Sequence, residues 1–136
     1  MISFDTNILV YAADNTAGER HAIAADLIER SIRHGGCVQT LQSLAEFFNV
    51  VTRKASIPPD VAASFVKGWQ AVLPTEASIP DDLDWAMQAA RDHSLAFWDA
   101  MLWATARRIG VRVPDQRGFS GRPNSRLATQ SGARQA

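Results

Sequence analysis

The sequence predicts an α/β domain with a central parallel sheet and helices packed around it. Three observations lead there. Short apolar runs, "MISFD" and "CVQT", are each followed by a helical pattern. Within the helical stretches, apolar residues recur at spacings of three and four. At 136 residues with 46% hydrophobic content, the chain is long enough for one real core.

In chain order, "MISFD" reads as a strand buried on both faces and ending at Asp5. "NILVYAAD" is apolar nearly all round and starts a helix, with Thr6 or Asn7 near its cap. From Gly18 to His34, Ile23, Ala24, Leu27, Ile28 and Ile32 form an apolar stripe, and "HGG" ends the helix. "CVQT" is the second strand. "SLAEFFNVVTRKA" is a helix with a wide apolar face, closed by "SIPP". The next helix starts at Pro59–Asp60 and carries Val61, Phe65, Val66 and Trp69. "LPTEASIPDD" connects, with room for a short strand. "DDLDWAMQAARDHS" places two acids in a first turn, which suits the helix dipole. "AFWDAMLWATARRIG" is the last helix, ended by Gly110. Helical spacing assigns most of Trp69, Trp85, Trp98 and Trp103 to the core, with base stacking as the alternative. Residues 1–110 form the expected domain. Residues 111–136 form a tail with five arginines, one acid and few large apolar residues, expected to be irregular or disordered.

Composition narrows the function. Fourteen basic and fourteen acidic side chains cancel, so net charge gives no argument for nucleic-acid binding. The single Cys37 excludes an internal disulfide and a multi-cysteine zinc site. His21, His34 and His93 lack the spacing of a zinc pair. No stretch is apolar for long enough to span a bilayer, and the N-terminus lacks the pattern of a signal peptide. The expectation is a cytoplasmic protein.

Three acids fall in strongly apolar surroundings: Asp5 at the end of the first strand, Glu46 in "LAEFFNVV", and Asp99 in "LAFWDAMLWA". Ionised carboxylates are seldom buried unpaired, and the cations nearest in sequence are too few to pair all three. Singly, each has a plainer account: a helix cap for Asp5, an outward face for Glu46, a first-turn acid for Asp99. Together they suit a divalent cation at the carboxyl ends of the strands. Oxygen-only donors favour Mg²⁺ or Mn²⁺. A phosphoacceptor receiver domain is disfavoured, since "TLQS" follows the second strand and no Lys occurs after Lys67.

"FDTNILVYAAD", "LAEFFNVVTRK" and "LAFWDAMLWATARR", in that order and spacing, resemble the PIN-domain family. The likeness is nearest to the VapC-type toxic ribonucleases of bacterial toxin–antitoxin pairs and covers about the first 110 residues. The resemblance implies a PIN-like three-layer sandwich and a Mg²⁺- or Mn²⁺-dependent endoribonuclease acting on tRNA or ribosomal RNA. It also implies a homodimer and a cognate antitoxin. Asp5, Glu46 and Asp99 would be the catalytic, metal-holding acids, with Thr6 offering a hydroxyl and Asn7 holding the turn. The family pattern continues with a strand and a Ser/Thr-Glu/Asp-Asp element bearing a fourth acid. Here Asp115, in "VPDQRG", is the only downstream acid and stands in for that position. A shift of reading frame near Gly110 would account for the departure. Read one base later, codons able to encode Val111 to Asn124 spell, with suitable third bases, Cys-Gly-Tyr-Leu-Ile-Ser-Glu-Asp-Phe-Gln-Asp-Gly-Arg. The alternative function is a catalytically impaired relative that only dimerises or binds an antitoxin.

Overall fold

The computed structural model describes residues 1–54 and 56–110, and the backbone of 113–114 and 120–121. The order of elements is α1 (Thr6–Ala13), α2 (Glu19–His34), β1 (Gln39–Thr40), α3 (Leu41–Arg53), α4 (Pro59–Val72), β2 (Thr75–Glu76), α5 (Pro80–His93), α6 (Phe97–Ile109), β3 (Val113–Pro114) and β4 (Ser120–Gly121). The helices follow the sequence pattern closely. Proline opens α4 and α5 at the position where a missing N–H costs nothing. Gly110 ends α6 with φ 72°, a left-handed conformation that a β-carbon would disfavour.

A parallel sheet is present, and it is smaller than the expected one. β1 pairs in parallel with β2, Gln39 with Thr75 and Thr40 with Glu76. On its other side this segment meets the N-terminal run through one parallel bridge, Ile2 with Cys37. Two bonds hold that bridge: Ile2 N–H donates to Gly36 O (2.8 Å) and Val38 N–H to Ile2 O (2.9 Å). Successive N–H groups of a strand point to opposite edges. Val38 therefore serves the N-terminal run, and Gln39 N–H donates to Pro74 O (2.8 Å) on the β2 side.

That geometry leaves Phe4 without a main-chain partner on β1. The Gln39 side chain, fully buried, supplies one instead. Its Nε2 donates to Phe4 O at 2.7 Å, and its Oε1 accepts from Phe4 N–H at 3.0 Å. One amide side chain thus replaces a rung of the ladder, and "MISFD" stays extended up to Asp5 without being a full strand.

The core lies among α1, α3 and α4. Phe4, Leu9, Leu44, Phe47 and Trp69 are buried there. Phe47 meets Trp69 edge to face, with ring centroids 4.9 Å apart. α2 packs chiefly on α1, so only a narrow stripe of it is covered. Ala24 and Ile28 are buried, whereas Ile23, expected on that stripe, is 50% exposed. α5 and α6 close on small residues, Ala86, Ala89, Ala100 and Ala104. Val38 and Ala106 form a further small cluster joining the sheet segment to α6. Cys37 is buried, which pushes its thiol up from the ordinary value and keeps it neutral. Among the described residues no helix is long and apolar enough to cross a membrane.

β3 pairs with β4 in an antiparallel sheet of their own. The rest of the expected tail lies outside the described residues.

Candidate active site

Asp5 follows the extended run whose last rung is the Phe4–Gln39 pair. Its carboxylate caps α1: Oδ1 accepts from Ile8 N–H at 3.0 Å. Asp5, rather than Thr6 or Asn7, is therefore the capping residue. Asn7 is exposed, and the turn is held by the Asp5 carboxylate itself. Capping occupies part of the four-fold acceptor capacity of a carboxylate, so the cap and a site role are compatible.

Thr6, one residue on, turns its hydroxyl to α3. Its Oγ1 donates to Glu46 Oε2 at 2.8 Å. The other Glu46 oxygen, Oε1, accepts from Gln42 Nε2 at 2.8 Å, one helical turn earlier on α3. The same Gln42 Nε2 donates to Trp98 O, also at 2.8 Å. Trp98 precedes Asp99, in the first turn of α6. A hydrogen-bonded chain thus runs from α1 through Glu46 and Gln42 to α6. It ties together the three elements that carry Asp5, Glu46 and Asp99.

Burial differs from the sequence expectation. Asp5 and Glu46 are half-buried, and Asp99 is exposed. Asp99 lies in an apolar stretch of sequence, yet the start of α6 turns it outward, where an acid also suits the helix dipole. Glu46 is bonded by neutral donors. Among the described residues, the ion pairs include Arg30–Asp26, Arg33–Glu29, Arg91–Asp92 and Arg108–Asp82, and these involve neither Glu46 nor Asp99.

In chemical kind these residues suit a hard divalent ion, since every donor is an oxygen. In spacing they stop short: among the described residues, no group of three or more His, Cys, Asp or Glu side chains lies close enough to hold a metal. α1 packs on α3, and the Gln42 amide ties the start of α6 to α3, while the three carboxylates do not form a ready cage. Asp115 lies outside the described residues.

Three residues of this region were not singled out from sequence. Gln39 supports the run into Asp5, and the available signal was an amide inside an otherwise apolar strand. Gln42 bridges Glu46 and α6, and its spacing of four from Glu46 was readable. Asp82, read from sequence as one of two first-turn acids, is buried, 3% exposed. Its carboxylate accepts from Ile79 N–H (2.9 Å) and from Arg108 Nε (3.0 Å), so it is paired and structural.

A model of the PIN domain family matches residues 2–113. No curated protein matches the chain. Among solved structures, the chain is similar to the crystal structure of VapC20 from Mycobacterium tuberculosis, described as a sarcin–ricin-loop-cleaving toxin. The TM-score is 0.70 and the identity 19%, over 92% of this chain and 94% of that one. The fold follows from that likeness, and membership from the family match across most of the chain: the protein belongs to the PIN domain family.

Proposed function

We propose that the protein is a VapC-type toxin, a Mg²⁺- or Mn²⁺-dependent endoribonuclease of a toxin–antitoxin pair. The observation that carries this reading is the hydrogen-bonded chain Thr6–Glu46–Gln42–Trp98 O, which links the start of α1 and the start of α6 through Glu46 and Gln42 of α3. Asp5, Glu46 and Asp99 would hold the ion, with Asp115 as a fourth acid. The ion's contribution is to neutralise charge on the phosphoryl oxygens and to make a bound water more acidic. The chain's own part is positioning. Gln39 and the α1 cap fix Asp5, and Thr6 and Gln42 hold the two Glu46 oxygens. The substrate class is RNA, of the tRNA or ribosomal type, with cleavage in the cytoplasm. A cognate antitoxin and a homodimer complete the reading.

Asp99→Asn tests it, because Asp99 is exposed and the substitution leaves the fold intact. In a single-turnover assay on single-stranded RNA with Mg²⁺, the wild type cleaves and the variant loses about 100-fold or more. Equal cleavage by both proteins refutes the proposal.

A second reading, an impaired relative that only dimerises or captures an antitoxin, draws support from one observation: the described acids form no three-carboxylate group. Co-purification with an antitoxin, without metal-dependent cleavage at high protein concentration, selects it.

A further inference from the structure

Trp98 is 64% exposed, the most exposed of the large hydrophobic side chains in the described residues. The other three tryptophans are accounted for. Trp69 is buried in the main core, Trp103 packs against Val38 and Ala106, and Trp85 carries the Arg107 guanidinium 5.5 Å from its ring centroid. Among the described residues its aromatic contact is with Phe97, edge to face, with centroids 5.1 Å apart and planes at 67°. Its backbone is pinned, since its carbonyl accepts from the Gln42 amide that also holds Glu46. An indole on a fixed backbone therefore stands next to Asp99 in sequence, at the end of the chain of contacts from Thr6 through Glu46 and Gln42.

We propose that Trp98 is a stacking platform for an unpaired base of the RNA substrate. The proposal rests on the endoribonuclease reading and names how that site grips its substrate. The electrostatics favour this mode of binding. Acids repel a phosphate backbone, and the chain has no net positive charge to offset them. Stacking on an aromatic face is nearly indifferent to charge and to base identity. It also needs a base out of its duplex, which selects single-stranded segments.

The test measures binding of a short fluorescein-labelled oligouridylate by anisotropy, in EDTA so that no cleavage occurs. Trp98→Ala is expected to weaken binding about tenfold, and Trp98→Phe, which keeps a flat ring, to stay within about threefold of wild type. The loss should persist at raised salt, unlike the loss of a phosphate contact. Circular dichroism checks that both variants keep the wild-type helix content. Unchanged affinity in Trp98→Ala overturns the proposal, as does a wild type that fails to bind the oligonucleotide. Loss of a protein partner from Trp98→Ala with RNA affinity unchanged also overturns it and assigns the surface to that partner. The two readings fail separately. A wild type that binds RNA through Trp98 and never cleaves sinks the nuclease and spares the platform. Cleavage by Trp98→Ala with wild-type KM does the reverse.

Discussion

Gln39 shows how much one side chain can decide. It is fully buried, and both ends of its amide are spent on Phe4, the residue before Asp5. Gln39→Leu leaves the Phe4 N–H and C=O buried without partners. At about 1–3 kcal/mol for each of the two orphaned groups, the expected loss is about 2–6 kcal/mol, read as a lower denaturant midpoint. Gln39→Glu tests the same contact through pH. A protonated carboxyl can both accept from Phe4 N–H and donate to Phe4 O, whereas the ionised form cannot donate. Burial raises the introduced carboxyl's folded pKa, so the folded state holds its proton to higher pH than the unfolded chain. Stability is therefore present at low pH and lost as pH rises through the carboxylate range. Denaturant midpoints measured across that range check the sign, and a midpoint that rises with pH would exclude this account.

Between elements, the α5–α6 pair relies on a second polar device. Arg108, near the end of α6, donates through Nε to the Asp82 carboxylate and through Nη2 to Ala77 O (2.9 Å). Asp82 in turn holds Ile79 N–H at the start of α5. The clasp binds the last turn of one helix to the first turn of the other, beside an apolar seam of Ala86, Ala89, Ala100, Met101 and Ala104. Arg108→Ala strands a buried carboxylate. The loss is about 2–3 kcal/mol, below the usual figure for a fully buried pair because the Arg108 side chain is 29% exposed. Adding Asp82→Asn removes the stranded charge and keeps an oxygen for Ile79 N–H. The double variant is therefore expected to be more stable than Arg108→Ala alone, by thermal melts of both. A double variant that melts lower would show that the charge was never the problem.

For the whole molecule, the candidate site is a convergence of three elements, and its metal can be weighed without any substrate. A ligand that binds only the folded protein stabilises it by about 1.4 kcal/mol at about ten times its Kd. Mg²⁺ should accordingly raise the melting temperature by a few degrees in the wild type and by much less in Asp99→Asn or Glu46→Gln. No shift in the wild type would remove the metal from the proposal. Much of the fold was legible beforehand. The six helices of the described residues, the proline start of α4 and the stop at Gly110 follow from periodicity and local backbone preference, which neighbouring residues alone impose, whereas Pro80, read as part of a connection, opens α5. The identity of Asp5, Glu46 and Asp99 as the acids worth watching was also there, in their apolar surroundings and their motif order. The small extent of the sheet, the exposure of Ile23 and Trp98, the burial of Asp82, and the amides of Gln39 and Gln42 were settled only in three dimensions. Periodicity reports which face of a segment is apolar. It does not report what packs against that face, nor which distant group will meet a polar atom once the chain has closed.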